Sequence, residues 1–165
     1  FHYEDSDSAN FKPMDFWRKA GVKTVLGAEL PAGPDQGAIY LPAGARGPAF
    51  MVLHNFNVVL KYNNAASYAL AVCYLADRIG GGGAIVAAWP RDEQPLTRDE
   101  RIAFQNDLKT LGYDPGAIDG VLGHQVRAAV RAYQSARGIP ADGFPTQDLL
   151  QRMEQDIAAK KLPSP

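Results

Sequence analysis

Five glutamates (Glu4, Glu29, Glu93, Glu100, Glu154), three histidines (His2, His54, His124) and one cysteine (Cys73) are the residues here best equipped for acid–base, metal or nucleophilic chemistry. The histidines show no metal-ligand spacing, so no zinc site, other metal or cofactor is expected. Cys73 has no intramolecular disulfide partner and sits in an apolar run, which reads as a small buried side chain rather than a nucleophile. Glu100 closes the pattern Thr97-Arg98-Asp99-Glu100, a capping box in which the threonine oxygen accepts a first-turn N–H and the glutamate reaches back. Glu93 falls in a connector, and Glu4 and Glu29 lie among turns. None of these carboxyls stands in an obvious catalytic setting.

The elements that would position any site fall into two groups. The run Gly80-Gly81-Gly82-Gly83 favours neither helix nor strand, because each glycine loses much backbone entropy on ordering. It predicts a first domain over 1–80, a Gly/Pro-containing linker over 81–95 and a second domain over 96–161. Within the linker, Ile85-Val86-Ala87-Ala88-Trp89-Pro90 is apolar enough to lie against one of them. In the first domain, Pro13–Ala20 predicts a short helix closed by Gly21. Ala38–Leu41, Ala49–Leu53 and Val58–Leu60 are rich in strand formers. Tyr68, Val72, Leu75 and Ile79 recur at helical spacing among small and apolar residues, predicting a buried helix with Asn63 or Asn64 as N-cap and Gly80 as stop. In the second domain, Phe104, Leu108 and Leu111 form one helical stripe ended by Gly112. Val126, Ala129, Val130 and Tyr133 form another before Gly138, and Leu149, Leu150, Met153 and Ile157 a third after Thr146. Three short helices joined by Asp-Gly turns bury three such stripes.

Composition narrows the partners. A charged fraction of 21% with a net charge of −1 lacks the excess of Lys and Arg that a phosphate-backbone binder needs, so no nucleic-acid partner is expected. No apolar run approaches the roughly 18 residues of a membrane-spanning helix, and no transmembrane segment is expected. The polar, acidic opening at Phe1–Asn10 has no signal-peptide pattern. It reads as the tail of something longer, a fragment or processed product.

The second domain resembles the three-helix peptidoglycan-binding domain of bacterial wall hydrolases. The resemblance rests on Phe104-Gln105, Leu108, Leu111-Gly112-Tyr113, Gly116, Asp119-Gly120, Gly123, Arg127, Ala129-Val130, Tyr133-Gln134, Gly138, Asp142-Gly143 and Leu149. Val126 replaces the usual threonine, and Tyr133 the more frequent phenylalanine. The first domain resembles the C-terminal part of the catalytic domain of B-type lytic murein transglycosylases. Here the carriers are Trp17, Gly21-Val22, Leu41–Phe50, Asn55-Phe56, Val58, the block Lys61–Val72 and Leu75–Ile79. The fold expected is α+β: the C-terminal part of a lysozyme-like transglycosylase domain followed by the small three-helix module.

The resemblance implies cleavage between N-acetylmuramic acid and N-acetylglucosamine, in which the 6-hydroxyl closes on the anomeric carbon to give a 1,6-anhydro end. It also implies peptidoglycan as partner and the periplasm of a Gram-negative cell as setting. A catalytic glutamate in a Glu-Thr-x-Tyr-Gly context is implied as well, yet no such segment occurs in this sequence, and the family's acidic calcium loop is missing too. No catalytic residue is therefore assigned. Tyr62, Asn63 and Tyr68 match motif positions that the family places beside its glutamate, and they are the implied substrate-binding residues. Two of them have a plainer role open: Asn63 as a helix cap, and Tyr68 as a core residue with its hydroxyl satisfied; Tyr62 is the strongest candidate to face substrate. In the module, Tyr113 and Arg127 are weaker candidates for contact with the wall. The alternatives are a non-catalytic peptidoglycan-binding protein or the wall-targeting tail of another hydrolase.

Overall fold

The computed structural model describes residues 2–161, and the chain divides into two compact units between Trp89 and Pro90. In the first unit, β1 (Lys12–Pro13), α1 (Met14–Lys19), β2 (Gln36–Tyr40), β3 (Phe50–Val52), α2 (His54–Tyr62) and α3 (Ala66–Ile79) follow in order. The second holds α4 (Arg98–Leu111), α5 (His124–Ala136) and α6 (Gln147–Lys161). A small sheet in the first unit and helices alone in the second make up the α+β architecture.

Strand β2 is central and antiparallel to both neighbours, with Lys12 opposite Gly37, and Ala38, Ile39 and Tyr40 opposite Val52, Met51 and Phe50. Successive strand residues point to opposite faces, so this short sheet serves two cores. Ile39 packs with Met14, Trp17, Leu30 and Leu41. Ala38 and Val52 pack with Phe56 of α2 and Ala69 of α3. Trp17 has no exposed surface, and its indole Nε1 donates to the Gly37 carbonyl at 2.8 Å. Helix α1 thereby locks onto β2, and Gly21, at φ +79°, turns the chain away where a side chain would be strained.

Three expectations fail in this unit. Val58-Val59-Leu60 lies within α2, not in a strand. Its β-branched residues favour strands, but Phe56, Val59 and Leu60 share one inward helical face at the i, i+3, i+4 spacing, and packing overrides propensity. Helix α3 is not buried: only Ala69 is, while Tyr68, Leu75 and Ile79 are exposed. The side of α3 that packs on α2 and the sheet carries Ala66, Ala69, Leu70 and Cys73, so the larger apolar stripe faces away from them. Neither Asn63 nor Asn64 caps α3, whose N-cap is Ala65 without a side-chain cap bond. The helix begins at Ala66, which puts Ala65 and not an asparagine at the cap position. Asn63 instead follows α2 in extended conformation, its N–H bonded to the Val59 carbonyl at 3.0 Å.

The second unit follows its sequence pattern closely. Thr97 and Glu100 form the capping box, Glu100 accepting from the Thr97 N–H at 2.7 Å. These bonds from Thr97, with a further one from Gln147, hold the Glu100 carboxyl below the usual carboxylate range. Gly112, at φ +95°, ends α4 in the left-handed conformation. The Thr146 hydroxyl accepts from Leu149 N–H at 3.1 Å to start α6. Val126, where a threonine is usual, is buried, and α5 begins at Gly123 without a side-chain cap bond. Phe104, Leu108, Val130, Tyr133 and Met153 are fully enclosed at the centre of the core.

The Tyr133 hydroxyl accounts for the other departure. It donates to Asp156 Oδ2 at 2.5 Å, and the same oxygen takes an ion pair from Arg137 at 2.9 Å. Burial, with the Asp156 bond and charge, pushes the phenol up to about 12. Because the folded value lies above the unfolded one, this group's contribution to stability is intact below pH 10 and is lost as the pH rises towards 12. Thermal unfolding should therefore show a steeper alkaline loss for the wild-type module than for Tyr133→Phe. Equal slopes for the two would mean that the hydroxyl is not titrating in this environment.

Candidate functional site

The candidate substrate-facing residues of the first unit gather at the α2–α3 turn. Asn63, Asn64 and Ala65 join the two helices, tightened by a bond from Ala65 N–H to the Asn63 carbonyl at 2.7 Å. Tyr62 closes α2 and is 84% exposed; Tyr68, in the first turn of α3, is 39% exposed. Their ring centroids lie 6.4 Å apart at 31°, so the two rings form a tilted pair beside Asn63. The Asn63 side chain is exposed and caps neither helix. Two exposed aromatic faces with a free amide beside them suit the apolar faces and hydroxyls of a sugar.

No described glutamate is built into this turn. Glu29 pairs with Lys23 at 3.3 Å in another loop. Glu93, Glu100 and Glu154 belong to the second unit. Cys73 lies elsewhere on α3, partly buried, where burial and then the nearby Asp77 raise its thiol. That shift opposes thiolate formation and nucleophilic use. Among the described residues no cluster of three His, Cys, Asp or Glu is arranged to hold a metal ion, and no helix is long and apolar enough to cross a membrane.

In the module, Tyr113 packs partly buried against the core, edge-to-face with Tyr133 at 5.7 Å. The Arg127 guanidinium lies over the Phe144 ring at 5.8 Å. Both candidates are thus engaged inside the module.

Two glutamines with no assigned role in the sequence reading prove central. Gln105 is completely buried: its carboxamide oxygen accepts from Gly120 N–H at 2.8 Å, and its nitrogen donates to the carbonyls of Ala117 and Val121. Gln134, 5% exposed, repeats the device, accepting from Gly143 N–H at 2.8 Å and donating to Asp142 Oδ1 at 2.7 Å. A buried carboxamide left unbonded is costly, so each loop is tied firmly to its helix. The signal was present in the sequence: a glutamine directly after the core aromatic, in Phe104-Gln105 and Tyr133-Gln134, each followed later by Asp-Gly.

The chain is thus an α+β unit ending in a helical hairpin with an exposed aromatic turn, followed by a glutamine-braced three-helix module. Residues 1–77 match the family described as "Transglycosylase SLT domain", and residues 97–153 the family described as "Putative peptidoglycan binding domain". The chain thus carries part of a transglycosylase SLT domain followed by a peptidoglycan-binding domain. It is similar to the crystal structure of SltB3 from Pseudomonas aeruginosa in complex with NAG-anhNAM-pentapeptide, at 50% identity and a TM-score of 0.89, over 93% of this chain and 42% of that one. The structure of SltB3 in complex with NAG-NAM-pentapeptide matches at 51% identity and a TM-score of 0.88, over 93% and 41%. The chain therefore spans about two fifths of the length of the solved structures it matches. No curated protein matches it.

Proposed function

We propose that this chain is the peptidoglycan-engaging C-terminal portion of a lytic transglycosylase acting in the periplasm. In the complete enzyme the bond cleaved is that between N-acetylmuramic acid and N-acetylglucosamine, leaving 1,6-anhydro-muramic ends. The observation that carries this reading is the exposed Tyr62–Tyr68 pair flanking Asn63. The anhydro sugar bound by SltB3 supports it, since such a sugar is the product type of this reaction.

Chemically, departure of the leaving sugar needs a proton on the glycosidic oxygen and stabilisation of an oxocarbenium-like transition state. Tyr62, Asn63 and Tyr68 serve the second need: the rings hold the sugar, and the Asn63 carboxamide bonds its polar groups as charge develops. A phenol or a carboxamide cannot replace a carboxylic acid as proton donor near neutral pH. The chain alone is therefore expected to bind sacculi but not to cleave them. The test is incubation of the purified chain with sacculi and mass spectrometry for anhydro-muropeptides. Product above that of a mock purification would overturn the assignment of the acid to a segment outside these residues.

A further inference from the structure

Among the described residues of the module, only two large apolar side chains stand exposed, Ile118 at 36% and Val121 at 64%. Both lie on the α4–α5 loop that Gln105 braces, three residues apart. This display is not loose. The Gln105 carboxamide bonds Ala117, Gly120 and Val121, and the Val121 N–H also donates to Asp119 Oδ1 at 2.8 Å. Every backbone group named here is satisfied within the loop or by Gln105, which leaves the two aliphatic side chains outward and held in place.

The module supplies its own comparison. Its two helix–loop pieces are built alike: Gln105 braces Asp119-Gly120-Val121, and Gln134 braces Asp142-Gly143-Phe144. Arg98 and Arg127 each precede the bracing glutamine by seven residues. Their backbone carbonyls meet the corresponding glycines: a β-carbon at Gly120 would lie 3.5 Å from the Arg98 carbonyl, and one at Gly143 2.9 Å from that of Arg127. In the second piece the Arg127 guanidinium covers Phe144, so that loop is closed. In the first piece Arg98 is exposed, its stem 3.5 Å from the same Gly120 position, and the matching apolar residue, Val121, is open.

The geometry points to the loop of Ile118 and Val121, with Arg98 beside it, as the module's ligand site, and to the peptide arm of peptidoglycan as the ligand. This deepens the proposed function and rests on it. A glycan would call for an exposed aromatic face, and the module's aromatics are enclosed or engaged: Phe104 and Tyr133 in the core, Tyr113 against Tyr133, Phe144 under Arg127. Small aliphatic side chains fit peptide methyl groups, and the Arg98 guanidinium suits a terminal carboxylate. The Asp119 carboxylate beside the loop is already held by the Val121 N–H and the Gln105 carboxamide, with the Arg98 charge near enough to act on it, and a ligand carboxylate would share that guanidinium.

The test follows methyl and amide NMR signals of the whole chain during titration with three probes: NAG-NAM-pentapeptide, NAG-NAM without peptide, and the free pentapeptide. Signals from Ile118, Gly120 and Val121 should move with the two peptide-bearing probes and stay still with the bare disaccharide. Val121→Ser and Arg98→Gln should each weaken peptide binding by about fivefold or more, the loss of one apolar or one charged contact. Arg152→Gln, on the exposed side of α6, should bind as the wild type does. Unchanged thermal unfolding of the variants separates this result from misfolding. If the pentapeptide probe binds the chain without moving these signals, or the bare disaccharide moves them equally, the site is wrong while the proposed function stands. If neither sacculi nor any probe binds, both fall.

Discussion

Asn63→Ala, in a complete enzyme carrying these residues, is expected to lower turnover by about a hundredfold, the usual cost of losing one hydrogen bond aimed at a transition state. The same change should hardly alter stability. An asparagine cap would cost roughly 0.5–2 kcal/mol on truncation, but Asn63 caps neither α2 nor α3. Turnover and thermal unfolding measured on one preparation distinguish the two roles. Tyr62→Phe is the companion variant, keeping the exposed ring and removing only the hydroxyl. Turnover per folded molecule that stays normal in both would show this turn to be a structural connection only.

Trp17→Ala should produce the largest stability effect in the chain. The indole is fully buried among Met14, Leu30, Ile39 and Leu41, and its N–H satisfies the Gly37 carbonyl. Truncating a buried Trp costs about 3–5 kcal/mol, and the carbonyl left behind on β2 adds to it. The loss should be confined to the first unit, because the core of α4, α5 and α6 is separate. Calorimetry of the variant should show one transition lowered or absent and the module's transition kept at its wild-type temperature. A single transition that moves as a whole would contradict the independence of the two units.

The module was the more legible half because its signals are local. A capping box, glycines at left-handed positions and three apolar stripes each act within a few residues, and α4, α5 and α6 form where those signals stand. The hairpin of α2 and α3 was less legible. Val58-Val59-Leu60 reads as a strand until Phe56 is seen to share its inward face. In α3, the bulky stripe of Tyr68, Leu75 and Ile79 outweighed the smaller Ala66, Ala69 and Cys73, which are the ones that pack. Periodicity reveals that a face is apolar and cannot say what covers it. Tyr62, Asn63 and Tyr68 were picked out by a matched motif and by chemical type. Their proximity arises from a three-residue turn that pattern alone did not define. Gln105 and Gln134 were visible as letters, but their work depends on loops brought back to their helices by tertiary folding.

Co-sedimentation of the purified 165-residue chain with washed sacculi tests most directly the claim that it engages peptidoglycan without needing a catalytic acid. The chain should pellet with sacculi in a saturable manner, and an excess of soluble NAG-NAM-pentapeptide should release it. A chain that stays in the supernatant at every sacculus concentration, while remaining folded, would contradict it.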